Sequence, residues 1–149
     1  VKNNKELLGP NVIDNVERGL KYSMEDVTWA HQEQTKIYNN FRKFFENYDV
    51  LICPAASVSP FPHEQLFVEE INNEKLPTYM RWLALSYAPT MAIPCAWALP
   101  CGLDHKNLPF GIQLIAPAGN DAKLSEIALA IEDALSNYEE TKRAIPDIV

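Results

Sequence analysis

Apolar side chains along this chain recur at two periods. In residues 12–21, Val12, Val16 and Leu20 stand at i, i+4 and i+8, which predicts a short amphipathic helix weakened by Gly19. Ser23 opens a second helix: its hydroxyl suits the free N–H groups of a first turn, and Glu25 and Asp26 suit the positive helix end. Val27, Ala30, Ile37, Phe41, Phe44 and Tyr48 keep helical spacing to about Asn47. Asp49 ends that pattern, and Val50 to Cys53 form an apolar run stopped by Pro54. With no polar alternation, the run predicts a strand covered on both faces, as in a parallel sheet between helices.

Residues 55–75, with Pro60 and Pro62, read as a long loop. Residues 78–87 read as a helix and 90–97 as a strand, with Pro94 implying an edge or a bulge. Residues 98–108 read as a polar turn around Gly102-Leu103-Asp104. In the next strand, 110–116, Phe110, Ile112, Leu114 and Ala116 share one face and Gly111, Gln113 and Ile115 the other. It is expected to pair with 90–97 as an antiparallel hairpin. Gly119-Asn120-Asp121 precedes a last helix, 121–137, with Leu124, Ile127, Ala128, Ile131 and Leu135 inward. The order α-α-β-loop-α-β-β-α predicts an α/β layered sandwich, a mixed sheet flanked by helices. Residues 1–149 are expected to form a single unit, with 1–10 a lead-in and 139–149 a tail.

Composition narrows the function classes. Hydrophobic residues make up 47% of the 149 residues, enough for a core. The net charge of −7 disfavours nucleic acid as a partner, since phosphate binding needs a positive field. No apolar run approaches the roughly 20 residues needed to cross a bilayer. The three cysteines, Cys53, Cys95 and Cys101, are too few for a disulfide framework. They read as free thiols and the protein as cytoplasmic. The chain starts at Val1, with no initiator Met, and is expected to be a piece of something longer.

Three segments, in order, carry a resemblance: YDVLICPAASVSP (48–60), APTMAIPCAW (88–97) and LPFGIQLIAPAGNDAKLSEIALAIEDAL (108–135). Together they resemble the amidase signature family, the last segment most specifically. The resemblance covers essentially the whole chain and implies the incomplete C-terminal part of the amidase signature fold. Two positions depart from the family pattern. Ala84 and Tyr87 stand where Asn and Gly often precede the anchor proline, and Ala96-Trp97 stands where a Gly is usual. The first departure bears on local backbone geometry and on any substrate contact of that Asn.

The family's activity is amide hydrolysis by a serine nucleophile, a second serine in a cis peptide and a lysine base. That chemistry needs closely spaced glycines, so that backbone N–H groups reach the oxyanion. The five glycines here, Gly9, Gly19, Gly102, Gly111 and Gly119, are never adjacent and never beside a serine, and no two serines are adjacent. No catalytic residue is therefore carried over, and the chain alone is expected to be inactive. What the resemblance does imply is a substrate-pocket wall: Pro54, Ala55, Ala56 and Ser57 after the first strand, and Tyr79, Trp82 and Leu83 ahead of the second.

Other constellations have simpler readings. Ser59, His63 and Glu64 are sequence neighbours, whereas a catalytic triad converges from separate elements. His31, His63 and His105 lack metal-ligand spacing, so neither metal nor cofactor is expected. The aromatic run Tyr38 to Tyr48 reads as core; Trp82 is left open between pocket wall and core.

Three functions follow. The first is an amidase acting on a small-molecule amide. The second is a protein like the A subunit of a glutamine amidotransferase, feeding ammonia to a misacylated tRNA; the acidic balance and the 55–75 loop lean against it. The third is a non-catalytic binding or sheet-completing module. With the rest of the fold missing, the piece is expected to self-associate through an uncovered sheet edge or apolar face.

Overall fold

The computed structural model describes residues 4–92 and 94–145, and the chain divides after Lys36 into two compact units. The first unit holds a 3-10 turn at Lys5–Leu7, helix α1 at Pro10–Gly19 and most of helix α2, which runs Met24–Phe44 into the second unit. Pro10 starts α1 because its missing N–H is one that no helix would use there. Ser23 and Asp26 cap α2 reciprocally: the Asp26 N–H donates to Ser23 Oγ at 3.1 Å, and the Ser23 N–H donates to Asp26 Oδ2 at 2.8 Å. Those bonds to Ser23, the backbone one first, hold the Asp26 carboxyl below its ordinary pKa. No described residue of α1 or α2 is buried, and Leu20 and Met24 are about four-fifths exposed, at 81% and 79%.

The second unit is built on a three-stranded sheet in the order β1-β5-β4, with β1 at Leu51–Pro54, β4 at Cys95–Leu103 and β5 at Pro109–Ala116. The separate pair β2 (Glu70–Ile71) and β3 (Glu74–Lys75) forms a small hairpin. A 3-10 turn at Arg81–Leu83 leads into α3, Ala84–Thr90, and α4 spans Asp121–Ser136. In the register of the sheet, Ile52, Leu114 and Trp97 lie directly across from one another, so they share a face. Leu99, Leu114 and Ala116 on that face meet Leu124 and Ala128 of α4, which form the core with Ile112 and Ile131 packed at its margin. An α/β fold with flanking helices is the architecture expected.

Several local expectations need correction. β1 pairs with β5 antiparallel, where its unbroken apolar run predicts a parallel sheet. β1 is an outer strand with β5 on one side only, and Ile52 is half exposed rather than covered on both faces. The hydrophobic run marked a strand without showing which neighbours it has. The strand expected at 90–97 begins only at Cys95, because α3 continues to Thr90. That strand then runs on to Leu103 through most of the expected polar turn, with an irregular register between Pro100 and Leu103.

The true turn is Asp104 to Leu108. There the Asp104 N–H donates to the Leu108 carbonyl at 2.8 Å, and Asp104 Oδ1 accepts the Lys106 and Leu108 N–H groups at 2.8 and 3.0 Å. The 55–75 loop holds the β2–β3 hairpin at its end. Asn72 and Asn73 take φ of 53° and 65° there, the left-handed pair that a two-residue hairpin turn demands. Residues 1–3 of the lead-in and 146–149 of the tail lie outside the described residues.

Candidate functional site

At the C-terminal end of β1 the chain passes β5 and bends away, and this crossing forms a concavity of about 210 Å³. Three interactions position it. The Ala55 N–H donates to the Gly111 carbonyl at 2.9 Å, which carries the ladder one residue past β1. Gly111 lets the strands close up: a Cβ there would stand 3.2 Å from the Leu99 carbonyl oxygen. Gln113 Nε2 donates to the carbonyls of Pro54 at 3.2 Å and Leu85 at 2.8 Å, tying the exit of β1 and helix α3 to β5. One side-chain amide thus fixes both pieces of the wall, as its place on an apolar strand implies.

Ala55, Ala56, Val58, Ser59 and Pro60 form one side of the concavity, Pro109, Phe110 and Gly111 another, and Phe61 and Trp82 complete it. The Phe61 and Trp82 rings meet edge to face with centroids 5.6 Å apart. Trp82 Nε1 is buried and has no hydrogen-bond acceptor among the described residues. Asp104 adjoins the Ser59 side of the wall, and its carboxyl lies below the ordinary value. The Leu108 N–H lowers it most, partial burial opposes this, and the Lys106 N–H, the Ser59 hydroxyl and the His105 charge add to the lowering. Asp104 Oδ2 is buried without a hydrogen bond of good geometry.

Of the residues singled out from sequence, the structure brings Ala55, Ala56 and Trp82 together around this concavity. Pro54, Ser57, Tyr79 and Leu83 do not line it. Pro54 contributes its carbonyl to Gln113, and Tyr79 packs its ring on Phe67 at 6.1 Å. Phe61, Pro109 and Phe110 were missed. Phe61 sits between two prolines in a segment without periodicity, and Phe110 read only as the start of a strand.

No hydrogen bond joins Ser59, His63 and Glu64 among the described residues, and His63 is exposed. No group of three or more His, Cys, Asp or Glu able to hold a metal occurs among the described residues. The cysteines are free, and Cys95 Sγ lies 3.2 Å from the Pro117 carbonyl oxygen. The aromatic run at the end of α2 is a ring cluster, with Phe44 stacked on Tyr48 at 4.6 Å. It borders a second concavity of about 330 Å³ lined by Tyr38, Phe41, Arg42 and Phe45. Phe41, Phe44 and Phe45 are half-buried and Tyr48 is exposed, so the cluster is shallower than a core. No described helix is long and apolar enough to cross a membrane.

Comparison with known proteins gives the fold its family. The Amidase family model matches residues 2–124. The A subunit of the glutamyl-tRNA(Gln) amidotransferase of Streptomyces avermitilis is 34% identical over 106 residues, 70% of this chain and 20% of that protein. This chain therefore spans about a fifth of the length of such curated relatives. A bacterial aryl acylamidase of the amidase signature enzymes superposes with a TM-score of 0.77 at 18% identity, over 89% of this chain and 28% of that one. A component of a vestigial complex related to an s-triazine catabolic enzyme superposes with a TM-score of 0.80 at 18% identity, over 97% of this chain and 31% of that one. With its three sequence anchors laid on β1, β4 and β5 and α4, the chain belongs to the amidase signature family and corresponds to part of a typical member.

Proposed function

We propose that this chain is the C-terminal part of a protein that hydrolyses the carbon–nitrogen bond of a carboxamide, giving a carboxylate and ammonia or an amine. The observation that carries this reading is the Amidase match over residues 2–124 in a chain with no Gly/Ser cradle of its own. In that protein the nucleophile, its base and the oxyanion donors lie outside these 149 residues. This chain contributes pocket wall: of the residues singled out from sequence, Ala55, Ala56 and Trp82 are its proposed lining, while Pro54, Ser57, Tyr79 and Leu83 lie outside the concavity. The reading needs no metal or cofactor.

Two substrates fit the chemistry. The curated relatives, at 34% and 31% identity, are components of glutamyl-tRNA(Gln) amidotransferases, which favours glutamine as the amide and transfer of the ammonia to a misacylated tRNA. The likeness to amidases at 18–20% identity speaks for the fold. A glutamine side chain ends in a carboxamide, so attack by a serine and expulsion of ammonia is the first step in both cases. With a net charge of −7, this chain is not the part proposed to touch the tRNA.

Sequencing the gene upstream of Val1 for a lysine and a Gly/Ser-rich segment, then measuring ammonia release by the longer protein, tests the reading. A kcat/KM for glutamine well above that for simple carboxamides supports the amidotransferase-like form. The opposite order supports the small-amide hydrolase, and release from neither contradicts both.

A further inference from the structure

At the far end of β5 from Gly111 lies the second concavity, whose volume of about 330 Å³ falls within the range of about 300–1,000 Å³ usual for small-molecule sites. Its residues all belong to the second unit. One wall is the end of α2. Phe41 and Phe45 stand one turn apart, the Phe45 N–H donating to the Phe41 carbonyl at 3.0 Å, with ring centroids at 6.1 Å. Phe44 braces the Phe45 ring edge to face at 5.2 Å. Opposite, Pro94 precedes β4 and Pro117 follows β5, two rings with no rotamer freedom to lose. The apolar part of the concavity is therefore stiff, and a ligand pays little to order it.

Tyr38, Arg42 and Glu46 supply the polar side chains of the lining. Neither Arg42 nor Glu46 forms an ion pair among the described residues. Two features keep them from pairing with each other. Arg42 lies in the last turn of α2, whereas Glu46 lies past the helix end at Phe44, in a turn where its N–H donates to the Lys43 carbonyl at 3.3 Å. A cation ahead of the acid is also the weaker order along a helix. The concavity thus sets one positive and one negative group beside a pair of aromatic rings. An apolar ligand uses neither charge, and a simple anion meets repulsion from Glu46.

We propose that this concavity binds a small zwitterion with an aromatic side chain, the class to which free aromatic α-amino acids belong. Arg42 takes the carboxylate, with the Tyr38 hydroxyl as a second donor, and Glu46 takes the ammonium. The aromatic ring enters between Phe41, Phe45 and the two prolines. The ligand chemistry is set by these residues alone and is independent of the amide hydrolysis proposed above.

The test is a titration of the 149-residue chain followed by NMR, with L-phenylalanine as the probe. Phenylalanine is expected to give saturable shifts at Phe41, Phe45, Ala92 and Ala118, which line the concavity. Alanine, a zwitterion without the ring, should give none. Benzoate and phenethylamine, each with one of the two charges, should bind about ten-fold more weakly than phenylalanine. Arg42→Gln and Glu46→Gln change exposed side chains and should leave the fold intact. Arg42→Gln should weaken phenylalanine about ten-fold and leave phenethylamine unchanged. Glu46→Gln should weaken phenylalanine by about the same factor and leave benzoate no weaker. Phenylalanine binding that ignores both substitutions overturns the proposal. So does saturation by alanine in the range of phenylalanine, an absence of saturation by phenylalanine, or shifts confined to other parts of the chain.

Discussion

The two units of the chain use apolar residues in opposite ways. In the second, Leu114 and Ile115 of β5 and Leu124 of α4 are shut away from water almost completely. In the first, α1 and α2 carry apolar residues at regular helical spacing, yet Val12, Leu20, Met24 and Trp29 are all exposed. The periodicity is comparable and the outcome is not. A hydrophobic stripe shows which side of an element avoids water; only a partner within reach turns that preference into burial. β5 has strands on both sides and α4 against its core face, whereas the helices of the first unit bury none of their described residues.

Substitutions can break this contrast. The largest effect is expected for Leu114→Ala, which opens a void in the packed core and should cost about 3 kcal/mol in chemical denaturation. Gly102→Ala should follow at about 2 kcal/mol: its φ of +69° is strained for any side chain, and a Cβ would overlap the Glu140 carbonyl oxygen. Ser23→Ala should cost about 1 kcal/mol of local helix stability, seen as fraying of the first turn of α2 by backbone NMR.

The same cap sets a pH signature. The Asp26 pKa is lowered on folding, so its contribution is present above the ordinary value of 3.8 and is lost as pH falls through the depressed one. The wild-type first turn should therefore loosen as pH falls below about 4, and Ser23→Ala should remove most of that pH dependence. The smallest effect is expected for Trp29→Ser, within about 0.5 kcal/mol despite the loss of a large aromatic. A loss there comparable to that of Leu114→Ala would mean that the first unit has a core after all.

The same contrast explains what was legible in the sequence. α4 is legible almost to the residue because Leu124, Ile127, Ala128, Ile131 and Leu135 repeat at one period and are all buried or half-buried. The Ser23 cap and the tie made by Gln113 are also readable, since each is a polar group with a single structural use. The stretch 78–103 misleads because Pro89, Pro94 and Pro100 look alike in sequence yet sit in three settings: the last turn of a helix, a lead-in and an outer strand. The hairpin at 70–75 has its signal in Asn72-Asn73, two residues that tolerate left-handed backbone, but is easily absorbed into a loop. At the candidate site, Ala55, Ala56 and Trp82 are reached through family resemblance. Phe61 and Phe110 are not, because nothing local shows that segments 49 residues apart meet.

The central proposal is that this polypeptide supplies shape to an amide-hydrolysing site while the reacting groups lie elsewhere. The most direct test is to incubate the purified 149-residue chain with an activated anilide and follow amine release. No turnover above the uncatalysed rate is expected, for the chain itself and for Ser57→Ala and Ser59→Ala alike. Saturable turnover by the chain, above all if it survives both serine substitutions, would contradict the proposal.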